Sequence, residues 1–397
     1  MAARFLQIHT LTNYSASLLN RDDAGFAKRM PFGGAVRTRI SSQCQKRHWR
    51  VYDGDNSFKT IDAPESVRSR VAFERFVVKP LVKGGVDENL ARFAAQKIIG
   101  KVFGSEAKQE KADKKGGKKT GHDSVELSEP ASTAQVTVLG MPELEYLCQL
   151  AREAVNDAEG SAEKVGQILD QRMKDNKELK KNLRALKPGS LEAGLGAALF
   201  GRMVTGDILS RTDAAIHVAH AMTVHGQMTE SDYFTAIDDL VHDEGDQGSG
   251  HINASELTSG LFYGYVVVDV NGLVRNLGED RALAGDVVER LIHIVSTVSP
   301  GAKKGSTAPY AYSHLVLVES GNAQPRTLQN AFIEPVTTRG NLVDNAYTAV
   351  QSHLAELDAM YGKSEQRAHA GLNSDGRFEN KKTLAELAAW AKALVRE

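Results

Sequence analysis

The residues that could do chemistry gather early in the chain. Asp22 and Asp23 are adjacent carboxylates inside "LNRDDAGFAKRMPFGGAVRTRISSQ", which also holds Arg21, Lys28, Arg37, Arg39 and the paired glycines Gly33 and Gly34. Two neighbouring acids can hold a divalent metal or assist attack on RNA; among so many cations they can equally orient arginines. The glycines do not make a nucleotide loop, because a P-loop needs G-x-x-x-x-G-K-[ST] and no Lys-Ser or Lys-Thr pair follows them. "GAKKGST" at 301–307 fails the same test, since Ser306 directly follows Gly305, and no G-x-G-x-x-G marks a strand–helix turn. His217, His220, His225, His242 and His251 lack H-E-x-x-H spacing and any nearby CxxC. "DDLVHDEGDQGS" does not alternate oxygen ligands as an EF-hand does. No Ser/His/Asp or Cys/His nucleophile spacing stands out. The expectation is no catalytic residue, no metal site and no cofactor.

What remains is cationic. Residues 1–50 carry nine Lys/Arg against two Asp/Glu, a formal +7 in a chain of net charge −1. From Thr212 to Val274 there is no Lys or Arg, and there are ten acids. Such separation suits a polyanion partner. Arg21, Lys28, Arg37, Arg39, Lys46 and Arg50 supply charge for phosphates, glycine amides allow close approach, and Ser41 and Ser42 stand at a helix start whose amides donate. An acidic protein would fit the same cations, including the Lys- and Arg-free segment of a second copy. Met203 in "GRMVTGD" and Tyr233–Phe234 in "SDYFTAIDDL" are large side chains in poorly apolar surroundings. They suit wedging between bases or stacking on them, or anchoring a core.

The elements that must position these residues follow from pattern. At 397 residues with 41% hydrophobic side chains, the chain can bury a real core. Two cysteines, Cys44 and Cys148, fit a reducing compartment. No apolar run is long enough to span a bilayer, and the N-terminus alternates like a strand rather than a signal peptide, so the expected location is cytoplasmic. "RFLQIHTLTN" reads as a first strand, the glycine-rich stretch as a loop, and "ISSQCQKRHWRVY" as a helix with capping-box spacing from Ser42 to Gln45. On that helix Gln43, Lys46, Arg47 and Arg50 share one face, with Ile40, Cys44, His48 and Val51 on the other. Helices dominate 51–190: "ESVRSRVAFERFVVKPLV", "DENLARFAAQKIIGKVF", "MPELEYLCQLAREAVNDA" and "EKVGQILDQRMKDNKELKKNLRAL". They are interrupted by a lysine-rich loop at 104–122 and a short strand, "AQVTVLG". "AAIHVAHAMTVHG" suits either a strand or a helix. After an acidic excursion at 226–258 come the strand "SGLFYGYVVVDVNGL", an amphipathic helix from 278, the basic loop "PGAKKGSTAPYAY" with Lys303 and Lys304, the strand "SHLVLVES" and a C-terminal helix. Strands at both ends with helices inserted predict an α+β fold, a ferredoxin-like sheet of the RNA-recognition-motif kind with a large helical insertion.

Taken in order, "LNRDD…K…FGG…R.RISSQ..KR..R", "GRM.T", "AHA.T.H", "FTA.DDL", "TSG.FY.Y" and "PGAK" resemble the CasC family. These are the RAMP-superfamily backbone subunits of type I-E Cascade, the RNA-guided surveillance complex of bacterial CRISPR immunity. The resemblance covers nearly the whole chain and is strongest at 1–50, 196–275 and 298–320. It implies a hand: an RRM-like palm at 1–50, 191–225 and 259–397, helical fingers at 51–190 and a long thumb at 226–258. It further implies copies polymerising head to tail along CRISPR RNA, each thumb kinking the RNA and flipping out a base. Carried over to this sequence, it implies guide-RNA backbone contacts at Arg21, Lys28, Ser41, Gln43, Lys46 and Arg50; Gly33, Gly34, Arg37, Arg39, Ser42, Arg202, Lys303 and Lys304 join them as expected RNA-binding residues. The wedge positions become Met203, Tyr233 and Phe234, and Lys174, Lys177, Lys180 and Lys181 resemble lysines that hold target DNA. The implied partners are CRISPR RNA, the target DNA strand, other copies of the chain, and the large, small, Cas5-type and Cas6-type subunits, with no membrane. No chemistry is implied for this subunit. The rival from another class is a metal-dependent endoribonuclease of the same superfamily, cutting target RNA through Asp22 or Asp23.

Overall fold

A computed structural model describes residues 3–104, 130–204, 206–236 and 251–397, with the side chains of 234–236 and 251–254 left aside. The lysine-rich loop at 104–122 therefore lies almost wholly outside the described residues, as does the middle of the acidic excursion. The chain divides into two compact units, one of Met1–Ile61, Ile216–Val270 and Arg281–Glu397, the other of Asp62–Ala215 and Asn271–Asp280.

The first unit opens with β1 (Phe5–Ser17), β2 (Arg29–Phe32), β3 (Ala35–Ile40) and α1 (Ser42–Val51). The second supplies β4 (Ser66–Ser69), α2 (Lys79–Lys83), α3 (Glu88–Phe103), β5 (Thr137–Gly140), α4 (Met141–Asp157), α5 (Ala162–Arg172), α6 (Asn176–Arg184) and α7 (Leu195–Phe200). The first unit then resumes with β6 (Ile216–Val218), β7 (Ala221–Thr223), β8 (Thr229–Ala236) and β9 (His251–Asp269). After α8 (Val270–Asn276) it finishes with α9 (Arg281–Thr297), α10 (Lys304–Thr307), β10 (Ser313–Gly321), α11 (Leu342–Tyr361), β11 (Gln366–Gly371) and α12 (Leu384–Arg396).

The first unit is an α+β structure on an antiparallel sheet of order β11-β10-β1-β9-β7-β3-β2, with β6 and β8 also pairing β9. The central strand β1 is buried almost continuously from Leu6 to Thr12 rather than alternately, because helices cover both faces. On one face Leu11, Tyr263, Leu315 and Leu317 meet Ala346, Tyr347, Val350 and Leu354 of α11, a stripe at helical spacing. The alternate residues Leu6, Ile8, Val316 and Val318 are buried on the other face, where α9 and α12 pack against β1 and β10. Each large apolar side chain so buried contributes about 1.5–3 kcal/mol. Beneath α11 the sheet also holds charge. Glu319 accepts from Arg326 at 2.6 Å and from Arg367 at 2.6 Å, and pairs with His9 at 3.1 Å. Burial alone would raise its carboxyl, but the His9 and Arg326 partners overcome that and hold it well below the usual range.

One part of the first unit departs from expectation, and another decides between two readings left open. The stretch expected as a glycine-rich loop is the β2–β3 hairpin, with Phe32 opposite Ala35 and Gly33–Gly34 as a two-residue turn. Both glycines have positive φ, +59° and +77°, as a type I′ turn demands. "AAIHVAHAMTVHG" resolves into two short strands, because its buried residues pair with β9 and β3.

The second unit is mainly helical. Its core joins Phe73, Val77, Ile98, Leu144, Leu147, Val165, Leu169, Leu179 and Leu183. The single helix expected over 163–186 is two, because the Asp175 carboxylate accepts from Lys177 N at 2.7 Å and starts α6 afresh. Residues 66–69, expected as helix, are instead a strand paired with β5 from Ser66↔Gly140 to Ser69↔Thr137. The domain boundaries shift as well. Residues 51–61 belong with the sheet, whereas 191–215, expected in the palm, belong with the helices. In that stretch Ile208 and Leu209 are buried in the helical core, and the Arg202 side chain is tied to Glu143 on α4. No described helix is long and apolar enough to cross a membrane.

Candidate nucleic-acid interface

In the first unit the candidate surface is built from the loop before β2, the β2–β3 hairpin, α1 and the loop before β10. The first loop is a turn closed by Asp22, whose carboxylate accepts from Phe26 N at 2.9 Å while Asp22 N donates to Phe26 O at 2.8 Å. Asp22 therefore orders the turn that carries exposed Arg21, and Asp23 is exposed beside it. Among the described residues no group of three or more His, Cys, Asp or Glu is arranged to hold a metal. The turn is also tied to β9. Ala27 N donates to Glu256 at 2.6 Å, and Arg29 lies 3.7 Å from the same carboxylate. Charge complementarity between the basic stretch and the acidic segment thus operates within one chain.

Helix α1 starts one residue earlier than expected. Ser41 is the N-cap, accepting from Cys44 N at 3.2 Å, and its own N–H donates to Asn20 Oδ1 at 2.9 Å. Ser41 and Ser42 are buried, so their hydroxyls serve the helix start; Ser42 donates to Gln43 Oε1 at 3.3 Å. The buried stripe is Ser42, Gln45 and Trp49, not Cys44, His48 and Val51. Gln45 turns inward because its amide donates to Ala219 O at 2.9 Å. The outward set survives the correction: Gln43 and Arg47 are exposed, and Lys46 and Arg50 are half-buried.

The cations around α1 act on common neighbours. Arg39 donates to His220 Nδ1 at 2.9 Å, so that nitrogen is unprotonated. Burial, with the charges of Arg39, Lys28 and Lys46, pushes His220 below its ordinary value. Burial likewise lowers His48, aided by Lys304 and Arg47 and opposed by its bond to the Cys44 carbonyl. Lys28, Arg39, Lys46, Arg47 and Lys304 thus lie within electrostatic reach of two histidines on one surface. The loop bearing Lys303 and Lys304 is held there by Ala302 N donating to Leu18 O at 2.8 Å.

Two expected contacts are corrected by burial. Arg37 is fully buried, donating to the carbonyls of Phe32 (3.2 Å), Thr223 (3.1 Å), Phe332 (2.8 Å) and Ile333 (3.3 Å). It staples the hairpin to its neighbours and cannot meet a phosphate. Gly33 serves the same packing, because a Cβ there would sit 1.5 Å from the Ile333 carbonyl oxygen. Gly34, by contrast, has open space where its Cβ would be. In the second unit Arg202 is buried as well, donating to Glu143 Oε2 at 2.6 Å and to Ser210 O at 2.9 Å. Its backbone pairs with Thr212 in both directions, at 2.9 and 3.1 Å. The next residue, Met203, is 94% exposed. Arg202 therefore fixes the turn that presents Met203 rather than touching RNA itself.

Tyr233 is exposed on β8, opposite Ala254; Phe234 pairs with Asn253 in the ladder, and its side chain lies outside the described residues. Lys174, Lys177 and Lys181 are exposed and Lys180 half-buried, around α6, whose Leu179 and Leu183 face the helical core. Sequence reasoning overlooked Tyr310 and Tyr312 in the loop before β10, although "PYAY" alternates aromatic and small residues.

Comparison with solved structures gives a chain described as "CRISPR RNA-guided surveillance complex, pre-nicking", 27% identical, covering 98% of this chain and 100% of its own, with a TM-score of 0.76. A second, described as "CRISPR RNA-guided surveillance complex", is 22% identical and shares the fold with a TM-score of 0.66, over 98% of this chain and 99% of its own. Comparison with curated proteins finds no match. The family model described as CT1975-like protein matches residues 6–395, and the chain belongs to that family.

Proposed function

We propose that this chain is a backbone subunit of a CRISPR RNA-guided surveillance complex and that it binds the guide RNA along the surface of α1. The observation that carries the reading is the likeness over 98% of the chain to a 27% identical chain of a CRISPR RNA-guided surveillance complex, joined by the exposed Gln43 and Arg47 and half-buried Lys46 and Arg50 on the outer side of α1. A row of cations with a helix start suits a phosphate backbone irrespective of sequence. Reading of the target then falls to base pairing, with the protein holding the backbone.

The finer reading is a type I-E Cascade subunit. The order β10-β1-β9, with α9 between β9 and β10, supports an RRM-like palm, the second unit supports helical fingers, and the β8–β9 ladder supports a thumb. Copies assemble head to tail along the RNA in the cytoplasm. Met203 and Tyr233, with Phe234, wedge the kinked positions, and Lys174, Lys177, Lys180 and Lys181 hold the target strand. The subunit does no chemistry of its own, and the Asp22 carboxylate is committed to its turn.

The test is to purify the chain with its co-expressed complex and sequence the bound RNA, then titrate that RNA against salt. Spacer-containing RNA bound with a steep salt dependence is expected. Regular cleavage of complementary RNA with a divalent metal, abolished by Asp23→Ala, would instead establish the endoribonuclease.

A further inference from the structure

We propose that Tyr310 and Tyr312 form a clamp that stacks on one unpaired base of the guide RNA. The clamp lies beside the cationic surface and rests on the guide-RNA reading. The two rings are 71% and 74% exposed, far beyond what packing would leave by choice. Between them Ala311 turns inward, packing against the cluster of Tyr14, Leu19, Ile40 and Phe262. Ser299 Oγ accepts from Ala311 N at 3.0 Å and donates to Ala311 O at 3.1 Å, which fixes the segment at that point. Tyr14, whose hydroxyl bonds Ser299 and is pushed up to about 12 by burial, continues the attachment into β1.

Ala311 is packed inward while the residues on either side of it, Tyr310 and Tyr312, are both exposed, so the two rings flank one anchored residue. At full extension two residues of chain span about 6.6–7 Å. That is about twice the ~3.4 Å rise between stacked bases, so one base fits between the rings. Ala308 is held in the left-handed region at φ +40°, and Tyr310 N donates to Ala308 O at 2.7 Å, so the turn into the clamp is ordered.

Charge favours RNA over a protein partner. The Lys304 ammonium stands 6.0 Å from the Tyr310 ring centre. No Asp or Glu occurs between Arg290 and Val318. Cations beside exposed aromatic rings suit single-stranded nucleic acid, since every base offers a π-face.

The full chain, assembled on guide RNA carrying 4-thiouridine, is irradiated and its peptides are mapped by mass spectrometry. Cross-links to Tyr310 and Tyr312 are expected. The pair Tyr310→Ala with Tyr312→Ala should lose them and bind RNA about tenfold more weakly with an unchanged salt slope. Tyr310→Phe with Tyr312→Phe should restore both, which separates stacking from folding. The clamp is overturned if the alanine pair keeps wild-type affinity and the cross-links fall elsewhere. It is equally overturned if the pair loses self-association at unchanged RNA affinity, which would assign the rings to a protein interface. A wild-type chain that binds no guide RNA would instead sink the function on which the clamp rests.

Discussion

Arg37 and Arg202 stand in the two units of the molecule, and each is buried beside an exposed feature. Arg37 backs the β2–β3 hairpin, and Arg202 backs the turn that carries Met203. They differ in what receives their charge. Four carbonyl dipoles surround Arg37, and burial lowers its guanidinium below the ordinary value. Arg202 faces the Glu143 carboxylate, with Glu192 near enough to be raised by burial and by Glu143. A cation among carbonyls keeps its net charge within an already positive surface. A cation on a carboxylate gives up much of its field, so Arg202 adds little positive charge to the turn that carries Met203. Counting arginines in the sequence cannot distinguish these cases, although they lead to opposite expectations for RNA.

The sharpest way to break the comparison is Glu143→Ala. It strands a buried guanidinium and should cost about 3–5 kcal/mol, read from chemical denaturation of the full chain. Joint replacement, Glu143→Met with Arg202→Met, should recover most of that loss, because an apolar pair removes both desolvated charges. Failure of the joint variant to recover would mean that the pair fixes geometry packing cannot supply. Arg37→Ala should cost somewhat less, about 2–3 kcal/mol, the worth of charge-assisted hydrogen bonds left unmade. If stability held while the salt slope of RNA binding fell, Arg37 would return to the interface.

The next effect lies in binding. Lys46→Ala with Arg50→Ala should leave stability nearly unchanged yet flatten the logarithmic salt dependence by about 1.4, two single-strand phosphate contacts at ~0.7 each. An unaltered slope would move the phosphates elsewhere on the surface. Smallest in energy is Met203→Ala. A side chain that is 94% exposed should change stability by no more than about 0.5 kcal/mol. Its effect should appear instead in the periodic chemical reactivity of bound guide RNA, and an unchanged pattern would remove Met203 from the wedge.

Much of the frame was legible because periodicity is local. The strands near Phe5, Leu261 and Leu315, and the helices after Gly278 and Thr383, follow directly from alternation or from apolar spacing. What stayed hidden depended on partners far away in sequence. Gly33–Gly34 looked like a ligand loop because nothing local reveals that Ile333 O crowds Gly33. The stripe Ser42, Gln45 and Trp49 is polar in two of three places, so hydropathy pointed to the wrong face of α1; only the distant Ala219 carbonyl explains Gln45. Residues 321–380 carry α11 and β11 and offered no motif, yet they cover one face of the sheet. At the site, exposed lysines were found by composition, whereas the burial of Arg37 and Arg202 required the fold.

One strand joins two environments, and its amides should record the difference. β9 runs without interruption for 19 residues, from His251 to Asp269. From Gly260 to Asp269 it pairs with β1, which also reaches Thr258, whereas from His251 to Leu257 its partner among the described residues is β8, whose ladder ends at Thr258. Hydrogen exchange along this single strand should therefore form a gradient. Amides near Val266 should wait for global opening, and those near Ser255 should exchange through separation of the β8–β9 ladder alone. Guide RNA that engages the ladder should then slow exchange at the Ser255 end while leaving the Val266 end unchanged.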